Sequence, residues 1–233
     1  MVGASKIRVV LRPDPDGAQR READWFVRLE RNGRLIGGGV LVGDGTWILT
    51  AGHCAVSKPG HARLRAYSRA DLLRPAVEVT SWCVHPGYDE EESSPPGRSI
   101  PHGNDLALLR IEASGPTLPL ATEPPEEGVE GLIFGWGKTQ VDGQVQEAVR
   151  LNIPEAAVTI TASGSKNFWA SQAAAAGDSG GPFVADGQVL GVHSGNGIVV
   201  EGTSQDDCYT ATAPYLPWIR SVVGSDSASA DQR

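Results

Sequence analysis

Short apolar segments separated by glycine and proline are the feature that most restricts the fold of this chain. The sequence has 29 glycines and 16 prolines among 233 residues. The segments between them are rich in valine, isoleucine, leucine and threonine, with no period of 3.6 residues. This pattern predicts strands at residues 25–29, 39–42, 47–50, 77–84, 106–111, 131–134, 149–153, 182–184 and 189–193. Many short strands at this spacing indicate an all-β sandwich or barrel.

Turn residues between these strands predict hairpins, because a residue with positive φ allows a tight reversal of the chain. The hairpins are expected at Gly33, Gly43-Asp44-Gly45, Asp142-Gly143 and Asp186-Gly187. Residues 214–223 are the clearest helix candidate, with proline in the first turn and Gly224 as a stop. Residues 224–233 are small and polar and are predicted to form a disordered tail. The acidic, proline-containing segment 89–103 is predicted to be a solvated surface loop.

Charge and composition exclude several classes of partner. The chain carries 28 acidic against 20 basic side chains, a formal net charge of -8, so a nucleic-acid surface is not expected. No apolar stretch reaches the ~18 residues of a membrane helix. Four histidines lack the paired spacing of a metal site and are predicted to be surface or hydrogen-bonded residues, so neither a metal nor another cofactor is expected. They are His61, His85, His102 and His193.

Two features bear on the compartment. The first residues lack the apolar segment of a secretory signal. Only three cysteines occur, Cys54, Cys83 and Cys208, so at most one disulfide can form within the chain. Both features favour a cytoplasmic protein, although a trimmed mature form of a secreted protein would share them.

The segment Gly-Asp-Ser-Gly-Gly-Pro at residues 177–182 carries the strongest chemical signal. Glycines beside Ser179 let a substrate carbonyl approach and let neighbouring N–H groups converge on one point. Such donors stabilise the oxyanion of a tetrahedral intermediate. The alternative is an ordinary glycine-rich turn.

A serine hydroxyl is a weak nucleophile until a base removes its proton, so the hypothesis needs a histidine and a carboxylate that orients it. His53 follows an apolar strand at residues 47–50, and Asp105 begins an apolar run of leucine and alanine. A carboxylate entering such a run needs a hydrogen-bond donor, which an imidazole N–H can supply.

With these segments in order, the chain resembles the trypsin and chymotrypsin family of serine proteases. The matching motifs are Thr-Ala-Gly-His-Cys at residues 50–54, Asp-Leu-Ala-Leu-Leu at 105–109 and Gly-Asp-Ser-Gly-Gly-Pro at 177–182. Further matches extend the resemblance over residues 24–223. It implies two six-stranded antiparallel β-barrels that cross near residues 116–131, a C-terminal α-helix, and residues 1–23 as an extension or activation segment.

The resemblance also implies roles for individual residues. Ser179 would attack the peptide carbonyl, His53 would act as base and then acid, and Asp105 would fix the imidazole tautomer. The N–H groups of Gly177 and Ser179 would form the oxyanion hole. The segment that would pair with substrate as an added strand is Ser194, Gly195 and Asn196. The expected activity is that of a monomeric serine endopeptidase acting on polypeptides through an acyl-enzyme.

The specificity pocket departs from the family pattern. Trypsin-like relatives carry an aspartate six residues before the nucleophile, where this chain has Ala173. Ala173 alone predicts a neutral pocket for apolar side chains. Asp207, however, stands on the opposite strand of the pocket, where relatives have glycine, and a buried carboxylate there would favour arginine or lysine. Cleavage after a basic residue is therefore expected.

Activation is a second departure. In relatives, cleavage before Ile-Val-Gly-Gly releases an amino group that pairs with the aspartate found here as Asp178. This chain shows no such segment before Trp25, and the nearest cleavable site is Arg8, which would release Val9. The sequence predicts either processing after Arg8 by an activating protease or ordering of the pocket by a partner protein.

The cysteines are a third departure, because the usual partner of Cys54 is missing and Ala175 and Ala185 replace the pair that normally flanks the nucleophile. No native disulfide is predicted. A catalytically silent protein that binds partners through the same fold is the alternative to an enzyme. An esterase is less expected, since a strand-pairing edge suits peptides.

Overall fold

The computed structural model describes residues 12–13, 23–56, 64–68, 77–89, 104–141, 144–146, 152–153, 157–171, 174–196 and 206–230. Within these ranges the chain forms two closed six-stranded barrels and a C-terminal helix. The all-β barrel fold expected from the turn-punctuated strands and from the family resemblance is confirmed.

The strands are numbered along the chain. They are β1 Arg12–Pro13, β2 Phe26–Arg31, β3 Arg34–Val42, β4 Trp47–Thr50, β5 Leu64–Ser68, β6 Val77–Val84, β7 Ala107–Ile111, β8 Glu130–Ile133, β9 Thr139–Val141, β10 Gln144–Gln146, β11 Asn152–Ile153, β12 Val158–Ser163, β13 Asn167–Ala170, β14 Pro182–Ala185, β15 Gln188–Asn196 and β16 Asp207–Ala211. The first barrel has the order β2-β3-β4-β7-β6-β5 and the second β12-β13-β16-β15-β14-β8. Residues 112–129 connect the two barrels. Outside them, β1 pairs with β11 and β9 with β10.

Two of the predicted hairpins show why turn residues determine the register of their strands. Asn32 and Gly33 connect β2 to β3 with φ of 53° and 75°, and Asp186 and Gly187 connect β14 to β15 with φ of 50° and 70°. Two consecutive residues with positive φ match the right-handed twist of antiparallel strands, and Asn-Gly and Asp-Gly adopt that conformation at low cost.

An aromatic core joins the barrels. Phe26 of the first barrel stacks on Trp136, which follows β8, with ring centroids 6.0 Å apart. Both side chains are buried, as is Ile219 of the C-terminal helix in the same cluster. Large buried aromatic rings contribute much of the packing free energy of such a junction. This packing therefore fixes the positions of the two barrels' loops relative to each other at the junction.

The sequence missed β5, β12, β13 and β16 of the barrels and β1, β9 and β10 outside them, because polar residues leave only short apolar stretches in these segments. It also misplaced the C-terminal helix. A 3-10 turn at Ala213–Tyr215 leads into a helix, α2, at Leu216–Ala230, so Gly224 does not stop it. A glycine inside an exposed helix costs about 1 kcal/mol relative to alanine, which is too little to end a helix by itself. The disordered tail predicted for residues 224–233 is therefore helical as far as Ala230.

Several predictions lie outside the described residues. They concern the loop at residues 90–103, the turn Asp142-Gly143, His61, His102, Ala173 and the site at Arg8. No helix among the described residues is long and apolar enough to span a membrane.

Candidate active site

His53 lies in a single helical turn, α1 Gly52–Ala55, that begins two residues after β4. Gly52 permits a close approach at this point, because a Cβ on it would lie 3.1 Å from Asp105 Oδ1 and 3.2 Å from the ring of Tyr88. The His53 side chain is 34% exposed, whereas that of Asp105 is 2% exposed. One side of the imidazole therefore faces a buried carboxylate while the rest reaches solvent.

Asp105 accepts three hydrogen bonds. His53 Nδ1 lies 2.8 Å from its Oδ2, the backbone N–H of His53 donates to Oδ1 at 2.9 Å, and the Ser194 hydroxyl donates to Oδ2 at 2.5 Å. Because a carboxylate only accepts, Nδ1 must carry the proton and the lone pair of a neutral imidazole is on Nε2. This is the tautomer that a general base acting through Nε2 requires.

The two ionisable groups shift each other's pKa. Burial raises the pKa of Asp105, but the hydrogen bond and charge of His53 and the Ser194 hydroxyl lower it below its ordinary value. Burial lowers the pKa of His53, but the neighbouring Cys54 and the hydrogen bond to Asp105 raise it above its ordinary value of 6.5. Asp105 is therefore an anion, and the imidazolium is stabilised.

Asn104 holds Asp105 in place, a role that the sequence analysis missed. It has φ of 75°, a conformation in which asparagine is enriched. Its backbone N–H donates to the Tyr215 hydroxyl at 2.9 Å, and its amide donates to the Gly87 carbonyl at 2.9 Å. The Lys166 ammonium donates to its Oδ1 at 3.2 Å. Through Asn104, the segment that carries Asp105 is thus tied to the second barrel and to the turn before α2.

Ser179 lies on the loop before β14, and this loop meets the first barrel next to His53. The N–H of Gly38 on β3 donates to the Ser179 carbonyl at 2.8 Å. A Cβ on Gly180 would overlap Thr50 Oγ1 and lie 3.0 Å from the nitrogen of Ala51. The three predicted catalytic residues therefore converge. Among the described residues no hydrogen bond joins Ser179 Oγ to His53, and such catalytic hydrogen bonds are often long before substrate binds.

The N–H groups proposed for the oxyanion hole are unused within the described chain. The amide of Asp178 donates to the Ala175 carbonyl at 3.0 Å, but the amides of Gly177 and Ser179 on either side donate to no described group. Gly177 has φ of 106°, which favours glycine. Two amides with no described acceptor beside one serine suit the binding of a developing negative charge.

Asp178 points into the protein and is 3% exposed. Its Oδ1 accepts from the Gly137 N–H at 2.5 Å and its Oδ2 from the Ala175 N–H at 2.7 Å. Gly135 and Gly137 must be glycine, because a Cβ on either would overlap the carboxylate. Burial raises the pKa of Asp178, and no described cation lies within ion-pair distance.

The predicted pocket residues lie on β15 and β16. Asp207 is fully buried, and its Oδ2 accepts from the N–H of Ala174 at 2.6 Å, next to the predicted floor position. Ser194 was predicted to bind substrate, but its hydroxyl is occupied by Asp105. Gly195 has open space around its Cα, which suits an approaching chain. For Asn196 only the backbone, paired with Asp207, is described.

The prediction for the histidines is wrong at His193. This residue is 5% exposed, and neither ring nitrogen makes a hydrogen bond within the described structure. Its Nε2 lies 3.9 Å from Asp207 Oδ1. The only sequence signal of this burial is the position of His193 in an apolar strand.

His85 does fit the prediction, because its Nδ1 accepts from the Gly87 N–H at 3.1 Å. No cluster of metal-binding side chains occurs among the described residues.

The three cysteines are free, and Cys54 and Cys208 are buried. This agrees with the absence of a native disulfide that the missing partner cysteines predict. Cys54 lies beside the backbone of Ser179. A Cβ built on Gly37 would overlap the Ser179 carbonyl and would lie 3.0 Å from Cys54 Sγ.

The geometry agrees with comparisons against known structures. Neuropsin, a serine protease expressed in the limbic system of mouse brain, superposes with a TM-score of 0.69 at 27% identity, and the match covers 87% of this chain and 96% of that one. A mutant of human heparin binding protein has the same TM-score, 0.69, at 22% identity, with 89% and 94% of the two chains covered. The second likeness concerns the fold alone.

Sequence comparisons give the same result. Kallikrein-8 of Mus musculus is 30% identical over 223 residues, which cover 85% of this chain and 81% of that protein. Granzyme M of Rattus norvegicus is 29% identical over 225 residues, which cover 86% of this chain and 84% of that protein. A family model described as Trypsin matches residues 14–219. The chain therefore belongs to the trypsin family of serine proteases.

Proposed function

We propose that this chain is a serine endopeptidase that hydrolyses peptide bonds through an acyl-enzyme on Ser179. The observation that carries the proposal is the buried hydrogen bond between Asp105 Oδ2 and His53 Nδ1, at 2.8 Å, on an imidazole that is otherwise partly exposed. This arrangement leaves a basic nitrogen next to the loop that bears a serine and two unused amides. Such a combination suits acyl transfer.

In the proposed reaction, Ser179 Oγ attacks the peptide carbonyl while its proton passes to His53 Nε2. The carbonyl oxygen becomes an oxyanion held by the N–H groups of Gly177 and Ser179. Collapse of this tetrahedral intermediate breaks the C–N bond of the peptide, and His53 gives its proton to the leaving amine. Water then attacks the acyl-enzyme by the same route and releases the acid and the free serine. Asp105 stays ionised and stabilises the imidazolium that forms in each half.

Peptides are the preferred substrate class, because the end of β15 offers backbone to an extended chain. Gly195 presents no side chain, and it follows Ser194, whose hydroxyl is held by Asp105. An added strand makes main-chain hydrogen bonds that a small ester cannot make. The site would thus bind a polypeptide with modest dependence on its side chains.

A catalytically silent protein of the same fold is the second candidate. Two observations favour it: no hydrogen bond joins Ser179 Oγ to His53 among the described residues, and Asp178 is buried with no described cation within ion-pair distance. Covalent labelling of the serine separates the two candidates, because a fluorophosphonate reacts only with an activated hydroxyl.

Cleavage after arginine or lysine is the proposed specificity. It is supported by the burial of Asp207 and by its hydrogen bond to Ala174, which follows the floor position Ala173 in the chain. A cationic side chain entering the pocket would complement this carboxylate, whereas removing one member of a buried ion pair costs about 3–5 kcal/mol.

Substituting Asp207→Ala is expected to lower kcat/KM for an arginine peptide about 100-fold or more relative to a matched methionine peptide. Asp206→Ala is the matched control, because Asp206 is the adjacent carboxylate but accepts from Thr161 Oγ1 at 2.6 Å on an exposed surface. Peptide-library profiling of both variants measures the preference. An arginine preference that survives Asp207→Ala would show that another group forms the pocket floor.

Activation is proposed to supply a cation for Asp178, which has none within ion-pair distance among the described residues. Cleavage after Arg8 would release the amino group of Val9, and a buried carboxylate gains most from such a partner. The alternative is a partner protein that orders the same loop. The support for either route is the burial of Asp178 with two backbone donors and no described positive charge.

N-terminal sequencing of the active enzyme is expected to begin at Val9, and Arg8→Gln is expected to remain uncut with activity reduced about 100-fold. Arg20→Gln, a change of the same kind in the same segment, should be processed normally. If the uncut chain hydrolyses peptides at full rate without a partner, the activation proposal is wrong.

A further inference from the structure

Two exposed cations border the nucleophile loop on the side away from the proposed pocket, and the proposed mechanism uses neither of them. They are Arg34, the first residue of β3, and Lys138, which follows Gly137. The side chain of neither residue makes an ion pair or a hydrogen bond within the described part of the chain. The formal net charge of the protein is -8, so these two groups are a local exception to its acidic character.

The position of Ser179 between the two barrels determines the path of a bound peptide. Gly180 donates its N–H to the His193 carbonyl on β15 at 2.8 Å, and the Ser179 carbonyl accepts from the Gly38 N–H on β3 at 2.8 Å. The proposed pocket for the residue before the cut bond lies on the β15 side, where Asp207 of β16 pairs with that strand. An extended peptide advances about 3.3 Å per residue, so the first residues after the cut bond would lie over β3.

Lys138 lies beside the proposed oxyanion hole. Its backbone N–H donates to the carbonyl of Ala176, the residue directly before Gly177, at 2.9 Å. Gly177 also packs against β3, because a Cβ on it would lie 2.9 Å from Leu35 Cδ2 and 3.1 Å from the Cα of Gly137. The nucleophile loop, Lys138 and the beginning of β3 therefore meet at one place.

Arg34 lies on the face of the β2–β3 hairpin that is turned toward the catalytic histidine. Arg34 and Arg31 are directly opposite in the ladder, so their side chains share one face of the hairpin. Arg31 Nη2 donates to the carbonyl of Cys54, the residue after His53, at 2.7 Å. This face is therefore packed against α1, and residues after the cut bond would pass between it and Lys138.

The charge around Arg34 is not balanced within the hairpin. Like charges directly opposite in a sheet are unfavourable, and here both residues are arginines. Glu30, the acidic residue of this hairpin, precedes Arg31 and so has its side chain on the other face. Its carboxylate accepts from Arg28 Nε at 2.8 Å. An anion supplied by a bound molecule would reduce the repulsion between Arg31 and Arg34.

We propose that Arg34 and Lys138 make this site favour peptides that carry an aspartate or glutamate within about three residues after the cut bond. This inference rests on the proposed function. Because both cations are exposed, each would contribute as a surface ion pair does, and salt would weaken the contribution. Without them, the net negative charge of the protein would repel an acidic peptide. The preference should therefore depend on ionic strength and on these two residues.

A competition assay measures this preference. In a peptide that the processed enzyme cleaves, glutamate or its neutral isostere glutamine is placed at the first, second or third position after the cut bond. Each glutamate peptide is mixed with its glutamine partner, and the ratio of their cleavage rates gives the ratio of kcat/KM values. We expect a ratio of about fivefold or more at one of these positions at about 0.01 M salt, falling toward one at about 1 M salt.

Substitutions of the two cations identify the groups responsible. Lys138→Gln and Arg34→Gln should each lower the ratio about two- to threefold, and the double variant should bring it to one or below. Lys138→Arg keeps the charge and should keep the ratio, whereas Lys138→Glu should favour a peptide with lysine at that position. The matched control is Arg220→Gln, because Arg220 is exposed on α2, outside the elements that border the nucleophile loop.

A ratio near one at every position in the wild-type protein would overturn the inference. A high ratio that survives the double variant would also overturn it, because another group would then bind the acidic residue. An enzyme that is labelled by a fluorophosphonate and cleaves peptides without a preference for glutamate keeps the proposed function and loses only this inference. A processed chain that is never labelled and cleaves no peptide would remove the proposed function itself, and the inference with it.

Discussion

Substituting Ser179→Ala is expected to reduce peptide hydrolysis about a millionfold and to abolish covalent labelling by a fluorophosphonate. In the proposed mechanism the hydroxyl oxygen of Ser179 forms the acyl bond, and the amides of Gly177 and Ser179 donate to no described group. Gel-based labelling and steady-state kinetics on the processed enzyme measure the two effects independently.

The matched control for this substitution is Ser221→Ala. Ser221 is exposed on α2, where its hydroxyl donates to the Trp218 carbonyl at 2.7 Å. This variant should be labelled and should hydrolyse peptides like the wild-type protein. His53→Ala should lose labelling as Ser179→Ala does, since the hydroxyl then has no base. A wild-type chain that is never labelled, even after processing, would favour the silent binding protein.

The barrel fold could be predicted because turn residues and apolar segments act locally. Asn32-Gly33 and Asp186-Gly187 have positive φ, a conformation that Asn-Gly and Asp-Gly favour locally, and such a turn fixes the pairing of the strands on either side. The C-terminal helix shows the limit of the same reasoning. Gly224 was interpreted as a stop, but its cost inside the helix is small and no opposing signal ends the helix there.

The convergence of His53 and Asp105 could be anticipated from motif order, but not the residues that support them. Asn104 depends on Tyr215, which is 111 residues away in the chain. No local pattern indicates such a contact, since it exists only after both barrels have closed. The sequence gives only a weak indication of the role of Asn104. Asparagine adopts positive φ more readily than most residues, and this one directly precedes Asp105.

His193 shows a different limit. Its position in an apolar strand predicts burial, but whether a buried histidine finds a hydrogen bond depends on the adjacent strand. Here that strand brings Asp207 to 3.9 Å and no closer donor or acceptor among the described residues. Only the pairing of β15 with β16, at single-residue register, brings this buried imidazole next to a carboxylate.

Substituting Asp105→Asn is expected to lower kcat about 10,000-fold while leaving the fold intact. Asp105 accepts from His53 Nδ1, from the His53 backbone N–H and from the Ser194 hydroxyl. An amide retains one acceptor oxygen and presents an NH2 group to the remaining donors. If that group faces the imidazole, Nδ1 must become the acceptor and Nε2 carries the proton, so the ring cannot take a proton from Ser179.

The pH profile separates this effect from a loss of structure. The pKa of His53 lies above 6.5, partly because of Asp105, and only the neutral imidazole acts as base. The rate of the wild-type enzyme should therefore rise with pH with a midpoint above 6.5, and the midpoint should move down in Asp105→Asn as the stabilising charge is lost. Ser194→Ala removes one hydrogen bond and keeps the charge, so it should cost only about tenfold. An Asp105→Asn enzyme within about tenfold of wild type, with an unmoved midpoint, would mean that the carboxylate does not orient His53 in the reaction.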